Sequence, residues 1–354
     1  MRRTHHLILA LAFLFGSEAA VGWDVPERGL LTSRRFLTND HGGSGATWAF
    51  CVAPNGDSFI GTDRLVLSTG TWRYTVLDKP QTREIRALAA TADGTIWLGA
   101  FDELGYLQRD QTGEYLYTSL RDRFQEGENA PGFEPILAVQ PVGAGAAVFI
   151  GRTGVHIWNG QTFTHWNNAA KSPLQPLRPV PDGLWYYEPG RGVFAPSTSG
   201  RRQVLPETDL PGPVVWLLAP GTDETVSPRA DGWLLGTANA VFVSRSGTWN
   251  RLPGLSDAVA EARPTQAVAL DRNNLAIATQ LRGVFIAARD DRVLTHLDGE
   301  PTLTDSQTQA LWCDPFGDLW AGTSVGWSRI LSPSLISRLV TVDDQSVSNV
   351  RHLL

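Results

Sequence analysis

Three arginines, Arg64, Arg191 and Arg282, occupy the same kind of place: each ends a short loop and is followed by an apolar segment (LVL, GVF and GVF). A guanidinium is a planar fork whose N–H groups match carboxylate or sulfate oxygens in pairs. Arginines repeated in equivalent loops, joined by Arg152 one position earlier in its own loop, would suit a uronate or sulfated oligosaccharide. The plainer alternative is a set of solvated arginines paired with neighbours such as Asp63 or Glu188, which contributes little.

Other groups that carry chemistry are sparse. Phe124 and Phe133 lie in RDRFQEGENAPGFEP (121–135), a long polar connection with Gly and Pro, and are read as rings that stack on a ligand. Glu103, Glu134 and Glu188 are the carboxylates that a lyase or glycoside hydrolase would need to bring together. The string GTSVG (322–326) spells a nucleophile elbow, but that motif needs a strand-to-helix turn in an α/β sheet, and no such turn is expected here. The histidines lack zinc-ligand spacing, no calcium loop or Gly-rich phosphate loop is written, and no cofactor is expected. Cys51 and Cys313 read as two buried thiols, with a ring-locking disulfide as the alternative.

What must position these loops is a repeat. NGDSFIGTDRLVL (55–67), DGTIWLGAFDELGYL (93–107), GAAVFIGRTGVHI (145–157) and DGLWYYEPGRGVF (182–194) share one pattern. DGWLLGTANAVFV (231–243), NNLAIATQLRGVFI (273–286) and GDLWAGTSVGWS (317–328) continue it. The slot held by Trp97 is filled in turn by Phe59, Trp97, Phe149, Trp185, Leu234, Ala276 and Trp320, 36 to 52 residues apart. Each copy offers four short strands, a to d, with Asn-Gly or Asp-Gly turns that accept positive φ between a and b. One sheet of about forty residues cannot bury both its faces; several can, by leaning on each other around an axis. The pattern predicts an all-β, seven-bladed β-propeller of four-stranded antiparallel blades. In it the slot aromatics fill the wedges between blades, and glycine follows where the backbone is crowded. RRFLTND (34–40) reads as a strand d that closes the last blade, SDAVAEAR (256–263) as a short helix, and 337–354 as the start of a further repeat or as ring-closing strands.

At these residues the chain resembles the two-component regulator propeller repeats, periplasmic sensor modules of hybrid two-component systems in carbohydrate-using bacteria. Their repeat reads roughly D-G-x-x-W-x-G-T-x-x-G-L; Asp93–Gly105 and Gly317–Gly326 follow it closely, and the other five units are degenerate. The resemblance implies a sensor that binds a carbohydrate or glycan fragment and works with a sensor kinase or other signalling partner. In that family a β-sandwich, a membrane helix and an output domain usually follow. None is written here, so a truncated sensor or a free-standing binding module is expected, and an interaction scaffold without a ligand stays open.

Met1–His6 is a basic segment, Leu7–Phe15 an apolar run of nine and Gly16–Gly22 a small-residue end, the layout of a cleaved signal peptide over residues 1–22. A single propeller domain over 23–354, periplasmic or secreted, is then expected. Net charge is −6, and no Lys/Arg run is present, which argues against nucleic acid or an anionic membrane as partner. No later segment is apolar for the 18 residues a spanning helix needs.

Overall fold

The computed structural model describes residues 30–338 apart from 44, 70–72, 127–130, 144, 169, 181–182, 198–199, 221–229 and 332–336. The proposed signal peptide and the segment 339–354 lie outside the described residues. Seven four-stranded antiparallel sheets follow one another along the chain as the blades of a β-propeller.

Strand a of each blade is the apolar run before the turn: Ala49–Val52, Ile85–Ala90, Ile136–Pro141, Gln175–Val180, Trp216–Leu218, Pro264–Ala269 and Thr308–Cys313. Strand b carries the repeat: Ser58–Gly61, Ile96–Ala100, Ala147–Gly151, Gly183–Glu188, Leu234–Gly236, Asn274–Thr279 and Leu319–Thr323. Strands c and d complete each sheet outwards. In the seventh blade strand d is Ser33–Leu37, from the other end of the chain, paired with Gly326–Ile330. The ring is therefore closed as RRFLTND suggested, and Leu30–Leu31 pairs with Ser337–Arg338 beside the closure. Phe36 seals this seam: its ring lies 5.3 Å from Trp327 and 5.2 Å from Tyr74 of the first blade.

Strand registers put the start of a, the end of b, the start of c and the end of d together, so b–c loops and d–a connections share one face. Adjacent blades are stitched on that face by backbone hydrogen bonds. Ile85 N donates to Thr62 O (2.7 Å), Leu174 N to Arg152 O (2.8 Å) and Thr47 N to Thr323 O (2.9 Å). Glycine at the end of strand b meets the next blade at this stitch: a Cβ on Gly61 would lie 2.5 Å from Ile85 O, and one on Gly322 2.5 Å from Thr47 O. The a–b turns use the expected glycines, with φ of 88° at Gly56 and 85° at Gly94.

Between blades the core is a ring of separate apolar wedges. Phe59 packs with Ile96 and Leu98 of blade 2, Leu234 with Leu275 and Ile277 of blade 6, and Trp320 with Phe50 and Ile60 of blade 1. Each fully buried side chain of this size contributes roughly 1.5–3 kcal/mol. The slot alignment needs one correction. In blade 2 it is Ala100, after Gly99, that opposes the first residue of strand a, whereas in blade 3 Gly151 itself does so. That one-residue slip turns the aromatic to the other face of the sheet. Phe149 therefore points back to Trp97, 6.0 Å away, and Val148 and Ile150 face blade 4.

Strand a, innermost in every blade, would leave a free backbone edge towards the central channel, and side chains cover part of it. Gln266 bonds both backbone groups of Leu311 (2.9 and 3.1 Å), and Gln175 Nε2 donates to Val215 O (3.0 Å). Arg178 Nη2 donates to Val139 O (3.1 Å). The expected short helix is Pro253–Val259, three residues earlier than SDAVAEAR, its first N–H groups donating to the Asp291 carboxylate of the next blade.

Candidate binding face and channel

The b–c face carries all four arginines singled out from sequence, in blades 1, 3, 4 and 6, and all four are exposed. Arg64 is presented by a rigid loop: its N–H donates to Thr62 Oγ1 (3.1 Å) and its carbonyl accepts from Thr62 N (2.9 Å). The Arg152 backbone is held by Pro135 O and by Leu174 N. Arg282 is anchored by Thr279 Oγ1 (3.0 Å), and its guanidinium lies 5.6 Å from the Phe285 ring. The salt bridges among the described residues involve none of these three guanidinium groups.

Arg191 differs. Its Nη1 is 3.1 Å from Glu188, a wholly buried carboxylate whose other oxygen takes Arg201 at 2.8 Å. This is the Glu188 pairing that sequence offered as the alternative. Arg191 is thus partly committed to neutralising a buried charge, which is expensive to leave alone.

The connection 121–135 gives a second correction. Its first part is a helical turn, Arg121–Phe124, that drives Phe124 into the wedge between blades 2 and 3, where it is 0% exposed. Phe124 contacts Phe133, Phe163, His156 and His165 with ring centroids 4.7–5.3 Å apart, so it packs and has no face for a ligand. Phe133 is half-buried, with one neighbour in Phe124 and the Arg121 guanidinium 5.3 Å from its ring.

Beneath this connection runs a buried polar relay. Glu134 Oε2 accepts from Thr153 N (2.6 Å) and Oγ1 (2.8 Å), Glu134 Oε1 pairs with His156 Nε2 (2.8 Å), and His156 Nδ1 meets His165 Nδ1 (3.0 Å). Burial opposes ionisation of Glu134, but the hydrogen bonds from His156 and Thr153 outweigh it and hold the carboxyl below its usual range. Burial and the neighbouring His156 push His165 down to about 4.

The three carboxylates that an enzyme would need are each held within their own blade: Glu103 by Ser119 and the Leu104 N–H, Glu134 by Thr153 and His156, Glu188 by two arginines. No two share a partner. Ser324 of GTSVG lies in the two-residue turn between strands b and c of blade 7, with its hydroxyl donating to Asp305. Both cysteines are unbonded; Cys51 is buried and Cys313 half-buried, and burial with nearby Asp314 and Asp318 pushes the Cys313 thiol up to about 11.

Sequence reading missed a cluster at the inner end of this face. The Arg86 guanidinium stacks 4.2 Å from the Trp48 ring and pairs with Glu84 (2.6 Å). Arg86 is the extra residue of a β-bulge between Ile85 and Ala87, and bulges at the same point release Leu137, Thr265 and Gln309 in blades 3, 6 and 7. The signal was present: a charge inside the otherwise apolar IRALAA. On the opposite face a groove of about 460 Å³ lies between blades 1 and 2, lined by Asn55, Asp93, Gln108, Arg109 and Tyr115. Arg109, Tyr115 and Asn55 converge there on the buried Asp57 carboxylate.

No protein-family model and no curated protein matches the chain. Solved structures do match in fold. The extracellular domains of two B. thetaiotaomicron proteins described as hybrid two component systems are 13% identical. They superpose with TM-scores of 0.59 and 0.58 over 88% and 85% of this chain. The chain spans only 40–42% of those domains. Virginiamycin B lyase from Staphylococcus aureus, also 13% identical, superposes with a TM-score of 0.57 over 84% of this chain and 98% of its own. The likeness to two-component propellers expected from the repeats is thus present in the fold. Among the described residues no helix is long and apolar enough to cross a membrane.

Proposed function

We propose that the chain is an exported, non-enzymatic ligand-binding propeller of sensor type that takes a carbohydrate or glycan fragment across its b–c face and passes the signal to a partner protein. One observation carries this reading: Arg64, Arg152 and Arg282 are delivered to one face by three different blades, with anchored backbones and guanidinium groups that no carboxylate of the described residues occupies. Guanidinium forks of this kind recognise carboxylate or sulfate oxygens in pairs. The sensor role and the export are supported by the likeness to extracellular sensor domains, and the sugar by the repeat resemblance. Phe133 is retained as a contact at the rim, and Phe124 as its support.

Changing Arg64, Arg152 and Arg282 together to Ala should weaken binding of acidic oligosaccharides at least tenfold in calorimetry, with the melting temperature of the free protein unchanged. Unaltered affinity removes the rim. A lyase shares the fold, and release of unsaturated or reducing ends from a polysaccharide panel would favour a lyase or glycoside hydrolase over the sensor reading.

A further inference from the structure

The seven innermost strands contain two arginines, Arg86 and Arg178, and no aspartate or glutamate. Arg86 has Glu84 as its counter-charge. Arg178 has none. It lies on strand a of blade 4, where pairing with strand b is interrupted between Leu177 and Val180, and its guanidinium reaches strand a of blade 3. Among the described residues its single hydrogen bond goes to the Val139 carbonyl, from one of the five N–H groups an arginine carries. The amide of Gln140, the neighbouring polar side chain of blade 3, accepts from Leu184 N (2.7 Å) and supplies no charge. Burial lowers the pKa of Arg178, and among the described residues no anionic neighbour raises it again. The side chain is half-buried, so its unused N–H groups still meet solvent at the channel, and an anion that replaces this water would gain a charge-assisted hydrogen bond.

We infer that the central channel is an anion site, in which Arg178 receives the carboxylate or sulfate group of a small ligand. The placement supports this. The guanidinium lies between two innermost strands at the channel wall, four of its donors are unused by the described residues, and the inner strands offer no competing acid. The site is separate from the rim arginines: it is built from strand a of blades 3 and 4, and they stand on the b–c loops. It adds to the proposed sensor reading a selectivity for charge, and it stands whether or not the rim binds sugar.

The test is calorimetry with glucuronate, inorganic sulfate and acetate, with glucose as the neutral control, on the full chain and on Arg178→Met, which keeps much of the side chain's bulk. Saturable binding of one or more of the anions, at least tenfold weaker in Arg178→Met and unaltered in the rim triple variant, is expected. Sulfate or acetate binding marks a site for free oxyanions, and glucuronate binding alone marks an acidic sugar. Should Arg178→Met not fold, the Arg178 Nε–Hε resonance of the unaltered protein serves instead and should shift saturably with the anion. Equal affinity in Arg178→Met, or a resonance that none of the anions moves, overturns the channel site. Loss of binding in the rim variant with retention in Arg178→Met overturns it too and leaves the rim standing.

Discussion

At the scale of single residues, blade 3 holds the most pH-sensitive groups. His165 titrates near 4 in the folded chain against 6.5 when free, so the unfolded chain takes up the proton first as pH falls. Stability contributed by the neutral ring is complete above about 6.5 and drains away between 6.5 and 4, and loss of the Glu134 charge acts in the same direction below that. The melting temperature should fall through this window, and His165→Asn should flatten the fall; a profile identical in both proteins would show that the relay does not report on folding. Neither this relay nor Phe124 was legible as structure in the sequence. The connection 121–135 is rich in charge and Gly/Pro, and only the packing of one helical turn reveals that its first phenylalanine belongs to the core. The rim arginines were legible because equivalent loops of a repeat can be compared within one chain. Arg178 was not: QPLRPV carries one charge in an apolar strand, and nothing local says that no acid will face it.

At the scale of the element, the glycine that ends strand b is a stitch point more than a turn. Gly61→Ala would set a methyl 2.5 Å from the Ile85 carbonyl oxygen and 2.9 Å from its Cγ2, with backbone on one side and a buried side chain on the other. It should cost about 1–3 kcal/mol by denaturant unfolding, the usual penalty of overpacking. An unaltered midpoint would mean that the blades can part without cost. Seven blades were readable because turn glycines and the apolar run before them recur wherever a strand must start. The blade 3 aromatic slot was misread for a reason of geometry. The repeat sets the glycine one position before the residue that opposes the start of strand a in blade 2, whereas in blade 3 the two are one residue, Gly151, so an alignment on glycine shifts the slot by one. Bulges, too, are invisible in a pattern of apolar residues, since an inserted residue only lengthens the strand.

At the scale of the whole molecule, stability rests on a closed ring of wedges, and the weakest join is the one without chain continuity. Phe36→Ala removes the buried ring that lies against Trp327 and Tyr74 and should cost roughly 3–5 kcal/mol, the range for a fully buried Phe. Protease should then cut first near the seam, and cutting spread evenly over all blades would refute the idea of a local weak join. The candidate site is divided in the same way, its arginines standing on separate blades.

Ser33–Leu37 precedes every other strand of the seven blades, yet its partner Gly326–Ile330 lies some 290 positions later. While the ribosome works, these five residues, which end in Phe36 and Leu37, must wait unpaired as six sheets assemble behind them, and the seventh stays a three-stranded fragment until they join it. A permuted gene that starts at blade 1 and places the early strand directly after Ile330 would turn this longest-range join into a hairpin, and it should reach the native ring faster while keeping the same finished shape.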